Sequence, residues 1–218
     1  LFYPVKAQFD YRSVEPGILR GVSVHAAQLL QRGGYNQMAI VGEQAGMGVL
    51  YLLNCADWSL ADSVSVANAR FLCISESKNG LLYIGGDRTV PKRSLNGVLW
   101  NFQPRTRRIE TVALPKPLPS LSKMVWLDRQ GLVFGKLPDH SLEVVSLPAA
   151  SQPVRLLSPI GHGRIENITA IAPLASRYDE IWLTGPASKS SKRTTWLMKI
   201  NESGQTTGTG LIELGSDQ

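Results

Sequence analysis

Short apolar runs that return at a nearly fixed interval constrain this chain more than anything else in it. "GVLYLLN" begins at residue 48, "GVLWNFQ" at 97, "SLEVVSL" at 141 and "TWLMKIN" at 195, intervals of 49, 44 and 54 residues. Three other runs keep step with these. An apolar run after a loop opens each unit: "GVSVHAAQL" at 21, "ARFLCIS" at 69, "SKMVWLD" at 122 and "ITAIAPL" at 168. A second run that usually ends in Gly follows: "YNQMAIVG" at 35, "GLLYIGG" at 80, "GLVFGKL" at 131 and "DEIWLTG" at 179. The fourth is more polar: "SLADSVSV" at 59, "RIETVAL" at 108, "PVRLLSP" at 153 and "TGLIELG" at 209.

Runs this short, separated by turn signals such as "SKNG" at 77, "DRQG" at 128 and "ESGQ" at 202, read as strands joined by hairpins. No stretch keeps apolar residues at three-and-four spacing for long. "VHAAQLLQR" at 24 comes nearest, and the repeat assigns it to a first strand and its loop. A four-stranded antiparallel sheet cannot cover its own apolar faces, so repeated sheets stack on one another. The second strands are almost continuously apolar, as where both faces are covered. Leu82, Ile84, Trp182 and Leu183 are therefore expected in the core. The fourth strands carry Arg108, Glu110 and Arg155, charges that discourage pairing at an outer edge.

Spacing of this kind resembles the β-propeller superfamily of WD-repeat, kelch or YVTN type. The resemblance implies an all-β propeller, or part-propeller, of about four four-stranded antiparallel blades. The units cover about residues 21–66, 69–115, 122–159 and 166–215 of a repeat domain at 21–218. The motifs of the individual families are missing: no unit ends in Trp-Asp, and "IGGD" at 84 occurs once. Residues 1–20 supply two further strand-like runs, "VKAQFDY" and "GILRG", which could complete a blade. The chain opens without Met and without a basic-then-apolar leader layout. It reads as a mature form, an excised domain or part of something longer.

Forty-three per cent hydrophobic and 18% charged residues in a chain of 218 describe a folding sequence that can bury a sizeable core. No apolar run approaches the roughly 20 residues of a membrane-spanning helix. The net charge of +6 permits attraction to nucleic acid, anionic lipid or acidic protein and requires none of them. Cys55 and Cys73 stand in apolar strand-like runs and read as two buried thiols.

Catalytic and cofactor signatures are absent: no P-loop, no Gly-x-Ser-x-Gly, no His-Glu-x-x-His and no Cys-x-x-Cys. The expectation is of no cofactor, no catalytic residue and no metal site. His25, His140 and His162 are too dispersed to form a ligand set by spacing. "GEQAGMG" at 42 joins two strands and opens no helix, so it lacks the helix N-terminus of a phosphate cradle. Glu43, Asp87, Asp139, Asp179 and Glu180 recur near second-strand ends. They could ring a central channel as metal ligands, but read more simply as polar turn residues. Four of the five Trp fall within strands and read as packing residues. "NIT" at 167 is a glycosylation sequon that matters only in a secreted eukaryotic protein.

The basic loops are the better lead. Lys92 and Arg93, with Lys189, Lys192 and Arg193, fall in equivalent loops between second and third strands and could form one basic rim. Arg105, Arg107 and Arg108 form a second basic loop between a third and a fourth strand. No aromatic residues alternate with these charges, so base stacking is poorly supported. The expected function is a non-catalytic interaction scaffold whose partners are other protein chains of an assembly. A metal-dependent hydrolase or lyase of propeller type, and an anion or nucleic-acid binder using the basic loops, are the alternatives.

Overall fold

The computed structural model describes residues 17–30, 36–88, 96–114, 117–118, 120–126, 131–136, 142–147, 154–156, 170–174, 177–186, 194–201 and 206–213. These form four antiparallel sheets of four strands, each an up-and-down meander in chain order. The first sheet holds β1 (Ser23–Leu30), β2 (Gln37–Gln44), β3 (Met47–Asn54) and β4 (Leu60–Ala67). In the second are β5 (Ala69–Glu76), β6 (Leu82–Arg88), β7 (Asn96–Gln103) and β8 (Arg108–Val112). The third contains β9 (Ser120–Trp126), β10 (Gly131–Lys136), β11 (Leu142–Leu147) and β12 (Val154–Leu156). The fourth contains β13 (Ala170–Leu174), β14 (Arg177–Pro186), β15 (Thr194–Asn201) and β16 (Thr206–Glu213).

Local chemistry sets the hairpins. β2 turns into β3 through Ala45 and Gly46, both at positive φ (51° and 75°), the geometry of a two-residue type I′ hairpin. The Gly-rich "GEQAGMG" is thus a tight turn, not a loop around a ligand. At "SKNG" the Gly80 amide donates to the Ser77 carbonyl, with Gly80 at φ 74°. The Ser77 hydroxyl accepts from the Leu81 amide on the way out. Between β7 and β8, Pro104 opens a turn closed by the Thr106 amide on the Gln103 carbonyl. Arg107, at φ 56°, returns the chain to the strand.

The core lies between sheets. One cluster joins the first and second sheets: Leu30, Ala39, Val41, Leu50 and Leu52 meet Phe71, Ile74, Leu82, Ile84, Trp100 and Phe102. The Phe71 and Trp100 rings are tilted 58° with centroids 4.9 Å apart. A second cluster joins the second and third sheets through Cys73, Leu99, Leu118, Leu121, Met124, Val133, Val145 and Leu147. Tyr83 stacks on Trp126 at its margin, at 4.6 Å and 21°. Leu82 and Ile84 are fully buried, as their apolar strand predicts; the side chains of Trp182 and Leu183 lie outside the described set. The first strands contact one another in series, β1 with β5, β5 with β9 and β9 with β13. Each sheet thus lies against the next with its leading strand innermost.

The sheets also share a deviation from ideal pairing. Each of the first three leading strands carries a bulge at the same place, at His25, Leu72 and Ser122, where the register slips by one. Opposite stand Gly42, Gly86 and Gly135, the glycines that end the second runs of the sequence. A Cβ on Gly86 would run into the Arg70 carbonyl oxygen, and one on Gly42 into that of Ser23. At Gly42 and Gly86 the glycine marks a place where the bulged strand presses its backbone against its neighbour, whereas a Cβ on Gly135 would meet the Leu118 side chain.

Two expectations need correction. "GILRG" is not a strand: Gly17–Leu19 is a single 3-10 turn, with the Arg20 amide on the Gly17 carbonyl and Gly21 at φ 78°. Only three residues, Ile18, Leu19 and Arg20, separate the two glycines, and they close a turn more readily than they reach a pairing partner. Cys55 is not in a strand either. It follows β3 in the turn to β4 and is half-buried, its amide bonded to the Asn36 carbonyl, while Cys73 is buried. "VKAQFDY" lies outside the described residues.

Candidate functional site

The best-built polar cluster sits where β5 begins and β6 ends. Register sets Arg70 directly opposite Asp87. Arg70 donates from Nε at 2.9 Å and from its terminal nitrogen at 2.7 Å to the two oxygens of Asp87, a planar fork on a carboxylate. Ser120, the first residue of β9, donates its hydroxyl to the same carboxylate at 3.2 Å. Asp87 is wholly buried, while the Arg70 side chain is 37% exposed. The hydrogen bonds it donates to Asp87, and then the fields of Asp87 and Glu43, raise the pKa of the Arg70 guanidinium against the cost of burial.

This cluster links Glu43 of the first sheet, Arg70 and Asp87 of the second, and Ser120 of the third. Its chemistry is that of a clamp. The Asp87 carboxylate accepts three hydrogen bonds, two from Arg70 and one from Ser120. Asp87 is therefore neither a turn residue nor a vacant ligand, as the sequence alone allowed, but a strand-end anion bound within the fold. Among the described residues no group of three His, Cys, Asp or Glu side chains could hold a metal ion. His25 lies exposed at the β1 bulge. Asp139, His140 and His162 lie outside the described residues, as do the side chains of Asp179 and Glu180.

The two basic loops fare differently. Lys92, Arg93, Lys189, Lys192 and Arg193 all lie outside the described residues. Arg105, Arg107 and Arg108 are exposed on the β7–β8 hairpin. Arg107 reaches across to Asp62 of β4 at 3.4 Å, and Arg108 pairs with Glu110 of its own strand at 2.7 Å. Two of these three cations therefore already face carboxylates. Such exposed pairs stabilise little, about 0–1 kcal/mol, yet they reduce the positive field a phosphate would meet.

Cys73 is completely buried, its thiol 3.7 Å from the Leu121 carbonyl, and burial pushes its pKa up to about 12. A thiol held neutral in this way is a packing group, not a nucleophile.

Superposing the repeats exposes the feature that sequence reading missed. The bulges align Val24 with Phe71 and Leu121, Ala27 with Ile74 and Met124, and Leu29 with Glu76 and Trp126. In the second and third sheets these positions face the preceding sheet. Phe71 and Leu121 are 0% exposed there, and Ile74 and Met124 are buried. In the first sheet Val24 is 49% and Leu29 44% exposed, and Ala27 is exposed as well. Ile40, Val49 and Leu53, further across the same face, are buried. The uncovered part is thus a strip along β1, flanked by half-buried Met38 and Tyr51. Among the described residues β1 is also an edge of its sheet, and its eight residues, "SVHAAQLL", contain no Lys, Arg, Asp, Glu or Pro. The signal was present in the sequence as an apolar first run, but four similar first runs do not say which one lacks a cover.

No protein-family model matches the chain, and no curated protein matches it by sequence. Solved structures do resemble it. Hydrazine synthase of Kuenenia stuttgartiensis superposes with a TM-score of 0.53 at 10% identity, over 81% of this chain and 46% of that one. TolB of Acinetobacter baumannii gives a TM-score of 0.55 at 11% identity, over 81% of this chain and 40% of that one. Identities this low show the fold alone. Neighbours of this kind are β-propellers, and the four meandering sheets share that architecture as a partial propeller. The chain spans less than half the length of either neighbour.

Proposed function

We propose that this chain is a non-catalytic interaction scaffold, a propeller-like component of a larger assembly. The observation that supports it is the β1 strip. Val24 and Ala27 stand exposed where the second and third sheets place the core residues Phe71, Ile74, Leu121 and Met124, and exposed apolar patches are sites of association. The Asp87 carboxylate is engaged by Arg70 and Ser120, and the Cys73 thiol is buried and neutral, which fits a structural role for both. The domain reading is of one repeat domain over 21–218, preceded by the segment 1–20. Within the superfamily the chain stands with the WD-repeat, kelch and YVTN types by spacing. No helix among the described residues is long and apolar enough to cross a membrane.

The test is the size of the particle that contains this chain in extracts of its source cells, at physiological salt. A discrete complex, well above the mass of the polypeptide itself, is expected. A polypeptide that migrates alone overturns the reading. The metal-dependent alternative makes a separate prediction, a rise in melting temperature with added divalent ions, and the scaffold reading expects no such rise.

A further inference from the structure

We infer that Asn79 is a site of spontaneous modification, at which the folded protein converts its side-chain amide to aspartate or isoaspartate. The sequence contains two Asn-Gly pairs, Asn79–Gly80 and Asn96–Gly97. Both offer the same chemistry, because a glycine adds no side chain to obstruct attack by its nitrogen, and Asn is among the thermolabile residues. The Gly80 nitrogen, its proton taken by hydroxide, forms a bond to Asn79 Cγ. The Cγ–Nδ2 bond breaks and ammonia leaves, closing a cyclic imide. Water then opens the ring. Hydrolysis at Cγ leaves Asp, and hydrolysis at the main-chain carbonyl leaves isoaspartate, with the chain running through Cγ. The net exchange is a water gained and an ammonia lost.

The structure separates the two pairs. Asn79 is exposed in the turn between β5 and β6, next to exposed Lys78. The attacking nitrogen is held there by the bond that Gly80 donates to the Ser77 carbonyl at 3.0 Å, with Gly80 at φ 74°. Ring closure rotates the Asn79 Cα–C bond out of turn geometry, so this bond opens first. It lies within a surface hairpin loop, the kind of segment that opens at little cost. The bond from the Ser77 amide to the Leu81 carbonyl, and the pairing of Glu76 with Leu82, can stay closed. Asn96 is exposed too, yet it is held in β7 opposite Arg88. The Gly97 amide is bonded to the Leu118 carbonyl, and a Cβ on Gly97 would lie 2.7 Å from the same oxygen. Rotation at Asn96 therefore has to unpair the end of a strand. The anchoring of the following amide, not the exposure of the side chain, distinguishes the two sites. Conversion at Asn79 also bears on the fold. Isoaspartate adds a backbone atom and a carboxylate to the turn that fixes the β5–β6 register, beside buried Glu76 and Ser77.

The experiment stores the purified 218-residue chain in mildly alkaline buffer, once folded and once in concentrated urea. Peptide mapping that resolves Asp from isoaspartate follows both Asn79 and Asn96. In the folded chain Asn79 is expected to convert at least about tenfold faster than Asn96, and in urea the two rates should converge. The converted fraction, separated by its added negative charge, should melt below Asn79→Asp, which carries the same charge without the added backbone atom. An Asn79 that stays intact in the folded chain, or that reacts no faster than Asn96, overturns the inference. An equal advantage for Asn79 in urea overturns the part given to the fold. A converted fraction that melts with Asn79→Asp overturns the part given to the turn in setting register.

Discussion

Gly86→Ala tests the packing of β5 on β6 at its tightest point. The added methyl would collide with the Arg70 carbonyl oxygen, and would lie 3.0 Å from the Arg70 carbonyl carbon and 3.2 Å from the Phe71 Cα. All three are backbone atoms of a strand fixed on its other face by fully buried Phe71, so no side-chain rotation relieves the contact. The strands must separate at the Phe71–Gly86 pair, one residue from the Arg70–Asp87 fork. Overpacking of this kind costs about 1–3 kcal/mol, and a backbone obstacle puts this case near about 3. For a domain of this size that corresponds to a fall in melting temperature of about 6–12 °C. Gly17→Ala is the control, since no atom lies within 4 Å of its Cβ position; its effect should stay within about 0.5 kcal/mol or be slightly stabilising. Urea and thermal unfolding of both variants read the difference. A Gly86→Ala protein within about 0.5 kcal/mol of wild type would refute the close approach, and with it the role assigned to the recurring glycine.

Other substitutions probe the remaining features. Leu82→Ala empties a fully buried position in the core between the first two sheets and should cost about 2–5 kcal/mol in urea unfolding. Asp87→Ala leaves the Arg70 guanidinium and the Ser120 hydroxyl without their acceptor; because Arg70 is partly exposed, the loss should be about 2 kcal/mol, below the range for a fully buried pair. Ala45→Asn places a residue that tolerates positive φ at the first position of the β2–β3 turn and should stabilise by about 1 kcal/mol in the same assay. Thiol labelling at pH 8 should modify half-buried Cys55 in the native protein and Cys73 only after unfolding. Because the folded pKa of Cys73 is raised from 9.0 to about 12, its contribution to stability is present below pH 9 and is lost as pH rises from 9 towards 12.

The architecture was legible because it rests on periodicity. Turn signals separate apolar runs, and the runs recur in fours, so the all-β class and the four-stranded blades follow without any contact being known. "VHAAQLLQR" shows the limit of local preference: its Ala, Gln and Leu favour helix, yet Ser23–Leu30 forms β1, because pairing with β2 overrides propensity. The glycine at the end of each second run was visible as a pattern, but its cause was not. The bulge opposite it is a matter of register, and register is a relation between strands. The same applies to Arg70 and Asp87, which lie 17 residues apart and become partners only once β5 and β6 are aligned. "RFLCIS" and "IGGD" each carried one isolated charge at a strand end, and that was the available clue. The β1 strip was least legible of all. Sequence shows that Val24 and Leu29 are apolar, whereas their lack of cover is a property of what lies beside the sheet.

Hydrogen exchange of β1 compared with β5 and β9 tests the incomplete cover of the β1 strip most directly. The account predicts that amides across Val24–Leu29 exchange far faster than those across Phe71–Glu76 and Leu121–Trp126, because only the latter two are closed in by a preceding sheet. Equal, near-global protection of all three strands would contradict it, since the Val24–Leu29 strip would then be covered like its counterparts on β5 and β9.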